Sequence, residues 1–337
     1  MLNICDLQSH RDININCFCN TQELQNATDA QCWLFNESEK EDSFIWDEFR
    51  SQSKLNKLSI NVRSNLSFIP TKTLSHLSQL NTFILIYGNI TTIIPYAFAN
   101  LTTLEIVELK HNQIYSLEKY SISNLPNLKE INFGKNQIRE IGRDIFKNLP
   151  SLKKLFLEEN DINVVQDLAF VELKNLEELE LYKNQIVAIS RNSFAGLTSL
   201  KRLDLHANLL YELKDFTFAE MPNLNELIIE QNMIENIGEK VFYGIKNLER
   251  LILAENKLHI LPDDVFASLP NLRKLDVRDN LLQTFTYSTA SHILDKLKNE
   301  SFYFLIEVDV SFDCIPILRY TDQILQTETI SEFTEFL

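Results

Sequence analysis

The chain has 337 residues, 45% of them apolar and only 6 of them glycine, and a formal net charge of −15. That length allows a large buried core, while the acidic surplus argues against nucleic acid or an anionic membrane as a main partner. No stretch reaches the roughly 18 apolar residues of a membrane span, and the residues after Met1 lack the apolar segment of a signal peptide.

Four of the five cysteines, Cys5, Cys17, Cys19 and Cys32, precede everything else. Their order, C-x11-C-x-C-x12-C, suits disulfides, because so small a piece has little core of its own. Four cysteines permit three pairings, and spacing does not choose among them. A zinc site is the rival reading, but the C-x-C pair is tight and no histidine follows at zinc-ligand spacing, so no metal is expected. Trp33, Phe35, Phe44, Trp46 and Phe49 then form an aromatic group expected to plug whatever follows. Residues 1–54 therefore read as a cap.

From residue 55 to 282 the sequence repeats. Leucine recurs every 24 residues from Leu80 to Leu272. A second apolar column runs three residues later (Phe83, Val107, Ile131, Leu155 and onward) and a third two residues after that (Leu85, Leu109, Phe133, Leu157). Asparagine closes each unit at Asn112, Asn136, Asn160, Asn184, Asn208, Asn232, Asn256 and Asn280; only the first unit departs, with Gly88. Leu58 and Ile60 read as a worn strand one residue out of phase. A fixed period of this size marks a stacked repeat in which no unit buries its apolar face alone. The L-x-L core alternates with period two and predicts a short strand. The asparagine amide is suited to satisfy backbone groups that a sharp turn would leave unpaired. A further column, Phe98, Ile122, Phe146, Phe170, Phe194, Phe218, Phe242 and Phe266, reads as a core spine rather than a cofactor box.

After Leu282 the pattern changes. Residues 288–298 predict a short helix and 301–310 a further strand. Cys314, Leu318 and Tyr320 follow, with Pro316 between. Cys314 is odd in number; a buried free thiol is favoured over an intermolecular bond. Residues 283–337 are expected to form an incomplete carboxy-terminal cap.

The form L-x-x-L-x-L-x-x-N is that of the leucine-rich repeat family, and the leading cysteines resemble the cap of its extracellular members. The resemblance implies an α/β solenoid, curved and right-handed, with a parallel sheet on the concave face and irregular or short helical segments outside. It also implies the pairing Cys5–Cys19 and Cys17–Cys32. The cap by itself resembles insect connectin-type and chaoptin-type adhesion molecules. N-x-S/T acceptors at Asn26, Asn36, Asn65, Asn89, Asn100 and Asn299 fit an extracellular glycoprotein, read as a mature ectodomain with any anchor lying beyond Leu337.

In this family the outward residues of the strands line the concave face and bind ligands. Apolar residues there are not needed by the fold and so are informative. The candidates are Phe156 and Tyr182 at the centre, Ile228 and Ile252 further along, and Glu180, Asp204 and His206 around them. An aromatic centre in a charged surround suits a protein partner. His111 and His206 have no serine or cysteine nucleophile in a matching column, and no phosphate loop occurs. No enzyme activity and no cofactor are expected. The reading is a recognition module binding another cell-surface protein or itself, with a homodimer as one form. The alternative is a soluble innate-immune or Toll-type ligand binder.

Overall fold

The structure, a computed structural model, describes residues 2–7, 13–35, 40–98, 101–283, 286, 288–289, 291–292 and 303–305. It forms two compact units, Met1–Ile186 with Asn192–Leu200, and Val187–Arg191 with Lys201–Leu337.

In the first unit, strand Ile15–Cys19 pairs antiparallel with Asp29–Leu34. The second of these starts a parallel stack: Lys57–Val62, Thr82–Ile86, Ile106–Glu108, Glu130–Asn132, Lys154–Phe156 and Glu178–Glu180. The worn repeat joins in register, with Leu58 opposite Phe83 and Ile60 opposite Leu85. In the second unit Arg202–Asp204, Glu226–Ile228, Arg250–Ile252, Lys274–Asp276 and Tyr303–Leu305 stack in the same way. The strand expected within 301–310 is thus Tyr303–Leu305. Ser288, Thr289, Ser291 and His292 are helical, while the remainder of the expected helix, Cys314 and most of the expected carboxy-terminal cap lie outside the described residues.

Each unit is a solenoid whose leucine columns are sealed between neighbouring turns: Leu155, Leu179, Leu203 and Leu227 are all 0% exposed. The phenylalanine column closes the far side. Phe146 stacks on Phe170 at 6.3 Å, and Phe242 stacks on Phe218 and Phe266 at 6.3 and 6.1 Å. The segments outside the sheet are mostly turns and two-residue parallel ladders such as Glu140–Ile141 with Val164–Val165, with little helix.

The asparagines work as a ladder. Asn160 Nδ2 donates to the Phe133 and Leu157 carbonyls at 3.0 and 3.1 Å, and its Oδ1 accepts from the Ile138 N–H at 3.0 Å. Asn184 repeats the set one turn on, donating to Leu157 and Leu181 and accepting from Ile162. Each side chain thereby ties its own turn to the one before it. Gly88 stands at the missing rung, where a Cβ would come within 2.7 Å of Asn112 Oδ1.

The residue before each rung is left-handed: Tyr87, His111, Lys135, Glu159 and Lys183 in the first unit, Ala207, Gln231, Glu255 and Asp279 in the second. None is glycine. The conformation costs an L-residue roughly 1–2 kcal/mol. The stack offsets that cost, because the turn aligns bonds such as Glu159 N–H to the Tyr182 carbonyl, 3.0 Å. A true glycine site is Gly196, with φ +95° and an added Cβ only 2.4 Å from the Val171 carbonyl oxygen. Gly196→Ala combines strain with a backbone clash and is expected to destabilise by about 2–4 kcal/mol in urea unfolding. Gly244→Ala, whose nearest contact is 3.0 Å, should cost less.

The cap carries disulfides Cys5–Cys19 and Cys17–Cys32, the pairing that the family resemblance implied. Cys17 and Cys32 lie opposite one another in the antiparallel pair. The aromatic plug is smaller than expected. Trp46 and Phe49 are buried, stacked at 6.1 Å, and Trp46 meets Phe68 edge-on at 5.6 Å. Phe44 and Phe35 are exposed, and Trp33 is half-buried against the exposed Phe18. The plug is therefore two residues from one helical turn, not five.

Candidate binding surface

Alternation along each strand points one residue of three into the core and its flankers onto the sheet face. In the first unit this puts Phe156 level with Asn132 on one side and Glu180 on the other. Phe156, Glu180 and Tyr182 are all half-buried, so the sheet face presents them while neighbouring side chains fix them.

Beside this group lies Glu158, only 4% exposed. Its carboxylate fills the space over Gly134, where a Cβ would lie 2.2 Å from Oε1. Lys110, two turns away, reaches across the same gap to Oε1 at 3.5 Å. A missing side chain thus lets an ion pair form between non-adjacent repeats. Around it run the more exposed pairs Lys153–Glu177 and Lys154–Glu178, each contributing about 1 kcal/mol or less. His111 stacks on the exposed Tyr87 at 4.9 Å. Its pKa is lowered, first by burial and then by Lys135 and Lys110, which favours the neutral ring beside Tyr87.

In the second unit Ile228 pairs with Ile252 and half-buried His206 sits beyond Asp204. Two expected surface residues are instead covered: Ile252 is 4% and Asp204 3% exposed. Asp204 is enclosed by Arg202 at 2.8 Å, by the His206 ring at 2.7 Å and by the His206 N–H at 3.1 Å. It organises the face rather than offering a free carboxylate. Ile252 lies between Ile228 and Asp276, and short inter-strand spacing leaves it little accessible area. Arg202 and Arg250 share Glu226 at 3.4 and 3.1 Å. Arg278 grips the buried Asp276 at 2.8 Å, and that bond raises the guanidinium pKa above its ordinary value.

Of the expected glycan sites, Asn26, Asn65 and Asn89 are exposed, and Asn89 donates to Asn65 at 2.9 Å across one turn. Asn36, Asn100 and Asn299 lie outside the described residues. Among the described residues no group of three or more His, Cys, Asp or Glu is placed to hold a metal, and no helix is long and apolar enough to cross a membrane. Exposed aromatics of the repeats such as Tyr87, Tyr115, Tyr211 and Tyr243 lie off the strands, where the L-x-L pattern carries no signal for them.

Parallel turns, a side-chain ladder and a fixed mosaic of aromatic and paired charged groups define a solenoid repeat protein with a rigid display surface. Residues 53–114, 102–162, 150–210, 198–258 and 222–282 match the family model described as Leucine rich repeat, and the chain belongs to the leucine-rich repeat family. A 91-residue stretch is 33% identical to Connectin of Drosophila melanogaster, covering 26% of this chain and 13% of Connectin. Among solved structures, a chain from the octameric complex of Latrophilin 3, Unc5D and FLRT2, whose leucine-rich repeat component is FLRT2, superposes with TM-score 0.68 at 25% identity, over 87% of this chain and 88% of that one. The Toll–Spatzle complex of Drosophila gives TM-score 0.67 at 19% identity over 76% of this chain and 35% of that one, which shows the fold alone.

Proposed function

We propose that the protein is an extracellular recognition module, not an enzyme, that binds another cell-surface protein in adhesion. The observation that carries this is the half-buried Phe156–Glu180–Tyr182 group held on the sheet face, an aromatic centre within a charged surround. The similarity to Connectin and to a chain from an assembly of Latrophilin 3, Unc5D and FLRT2 supports a protein partner. The cap disulfides support an oxidising, extracellular setting. The Toll-type alternative rests on fold alone.

A cell-mixing assay tests the reading. Non-adherent cells displaying this chain through a lipid anchor are expected to cluster with cells bearing the partner, or with each other if binding is homophilic. Phe156→Ala with Tyr182→Ala should cut clustering at least about tenfold. Clustering that is indifferent to both substitutions would sink the assignment of this face.

A further inference from the structure

The second unit carries a feature unrelated to its sheet face. One and three residues after each ladder asparagine the chain runs along one edge: Leu209 and Tyr211, Met233 and Glu235, Lys257 and His259, Leu281 and Gln283. Successive turns of this edge are bonded, Met233 N–H to Leu210 at 2.9 Å, Lys257 N–H to Ile234 at 2.9 Å and Leu281 N–H to Leu258 at 3.0 Å. Leu209, Tyr211, Met233 and Leu281 are each more than 40% exposed. In the first unit the position one residue after the asparagine column is polar, holding the sequon residues Asn65 and Asn89 and then the bonded pair Gln113 and Gln137, so Tyr115, exposed two residues further on, stands there without apolar neighbours at that first position. No sequon falls within 201–282. The fold demands nothing apolar at this position, so a bare apolar edge there points to a contact.

The order of residues along the edge is self-complementary. Apolar groups stand at both ends, and Glu235 stands one turn from Lys257 and His259 in the middle. We propose that this edge is a self-association surface on which a second copy docks antiparallel, about a two-fold axis between the turns of Met233 and Lys257. In an isologous contact residue i meets residue j and j meets i. Leu209 and Tyr211 then cover the partner's Leu281, and Glu235 faces the partner's Lys257, each twice. A partner of different sequence would gain nothing from this symmetry. The surface is independent of the Phe156–Tyr182 face and can fail without it.

Sedimentation velocity of the secreted, glycosylated chain from about 1 to 100 µM tests the proposal. The chain should dimerise. Glu235→Lys and Lys257→Glu should each weaken the dimer at least about tenfold, because like charges then meet twice. An equimolar mixture of the two variants should associate again, since every contact becomes opposite in sign. Leu209→Glu with Leu281→Glu should abolish association while thermal melting shows a folded chain. Phe156→Ala with Tyr182→Ala should leave the dimer intact. A chain monomeric at every concentration, a dimer that ignores the charge changes, a mixture that stays monomeric, or a dimer held on a non-reducing denaturing gel would each overturn the proposal.

Discussion

Asn160→Ala is expected to lower the unfolding free energy by about 3 kcal/mol, measured by denaturant unfolding. The side chain is 7% exposed and makes three bonds that tie its own turn to the one before it. Alanine can replace none of them, and water does not reach the Ile138 N–H or the Phe133 and Leu157 carbonyls to take its place. Each stranded buried group costs about 1–3 kcal/mol, less what local relaxation recovers. The control is Asn280→Ala. Asn280 makes equivalent bonds to Leu253, Val277 and Leu258 but is half-buried, so solvent can satisfy part of what it leaves. A loss of about 1 kcal/mol is expected there. Equal losses at both positions would show that burial does not set the value of a rung.

The second large effect is in the cap. Cys17→Ser with Cys32→Ser should cost about 2–5 kcal/mol, and Cys5→Ser with Cys19→Ser about as much, because the closed segments span 15 and 14 residues. The consequence is local before it is global. A repeat array is stabilised turn by turn, so an opened cap should first expose strand Lys57–Val62 and the buried Trp46 and Phe49. Hydrogen exchange should show protection falling there while Lys154–Phe156 stays protected. A uniform rise in exchange would contradict a capping role.

What was legible in the sequence follows from what a repeat imposes. Leu155, Leu179 and the phenylalanine column declare themselves because burial at a fixed period leaves a column of one residue type. Asn160 and its equivalents do so because the turn needs one chemistry. The cap pairing came from family likeness, since spacing leaves three options open. The left-handed column was invisible: Tyr87, His111, Lys135, Glu159 and Ala207 share a backbone conformation and no side-chain property. The expectation that Ile252 and Asp204 would be open failed for a related reason. Exposure on a sheet face depends on the size and charge of lateral neighbours, and Arg202 and His206 close over Asp204. The Lys110–Glu158 pair joins residues 48 apart across Gly134, a contact that no single column reveals.

The claim that this chain recognises a protein through its first-unit sheet face is tested most directly by probing an array of secreted cell-surface ectodomains with the chain as an avid multimer. At least one ectodomain should bind, and Phe156→Ala with Tyr182→Ala should weaken that binding at least about tenfold while Glu235→Lys leaves it unchanged. Binding unaffected by the Phe156 and Tyr182 substitutions would contradict the assignment, and no binding to any ectodomain, this chain included, would contradict the proposed function itself.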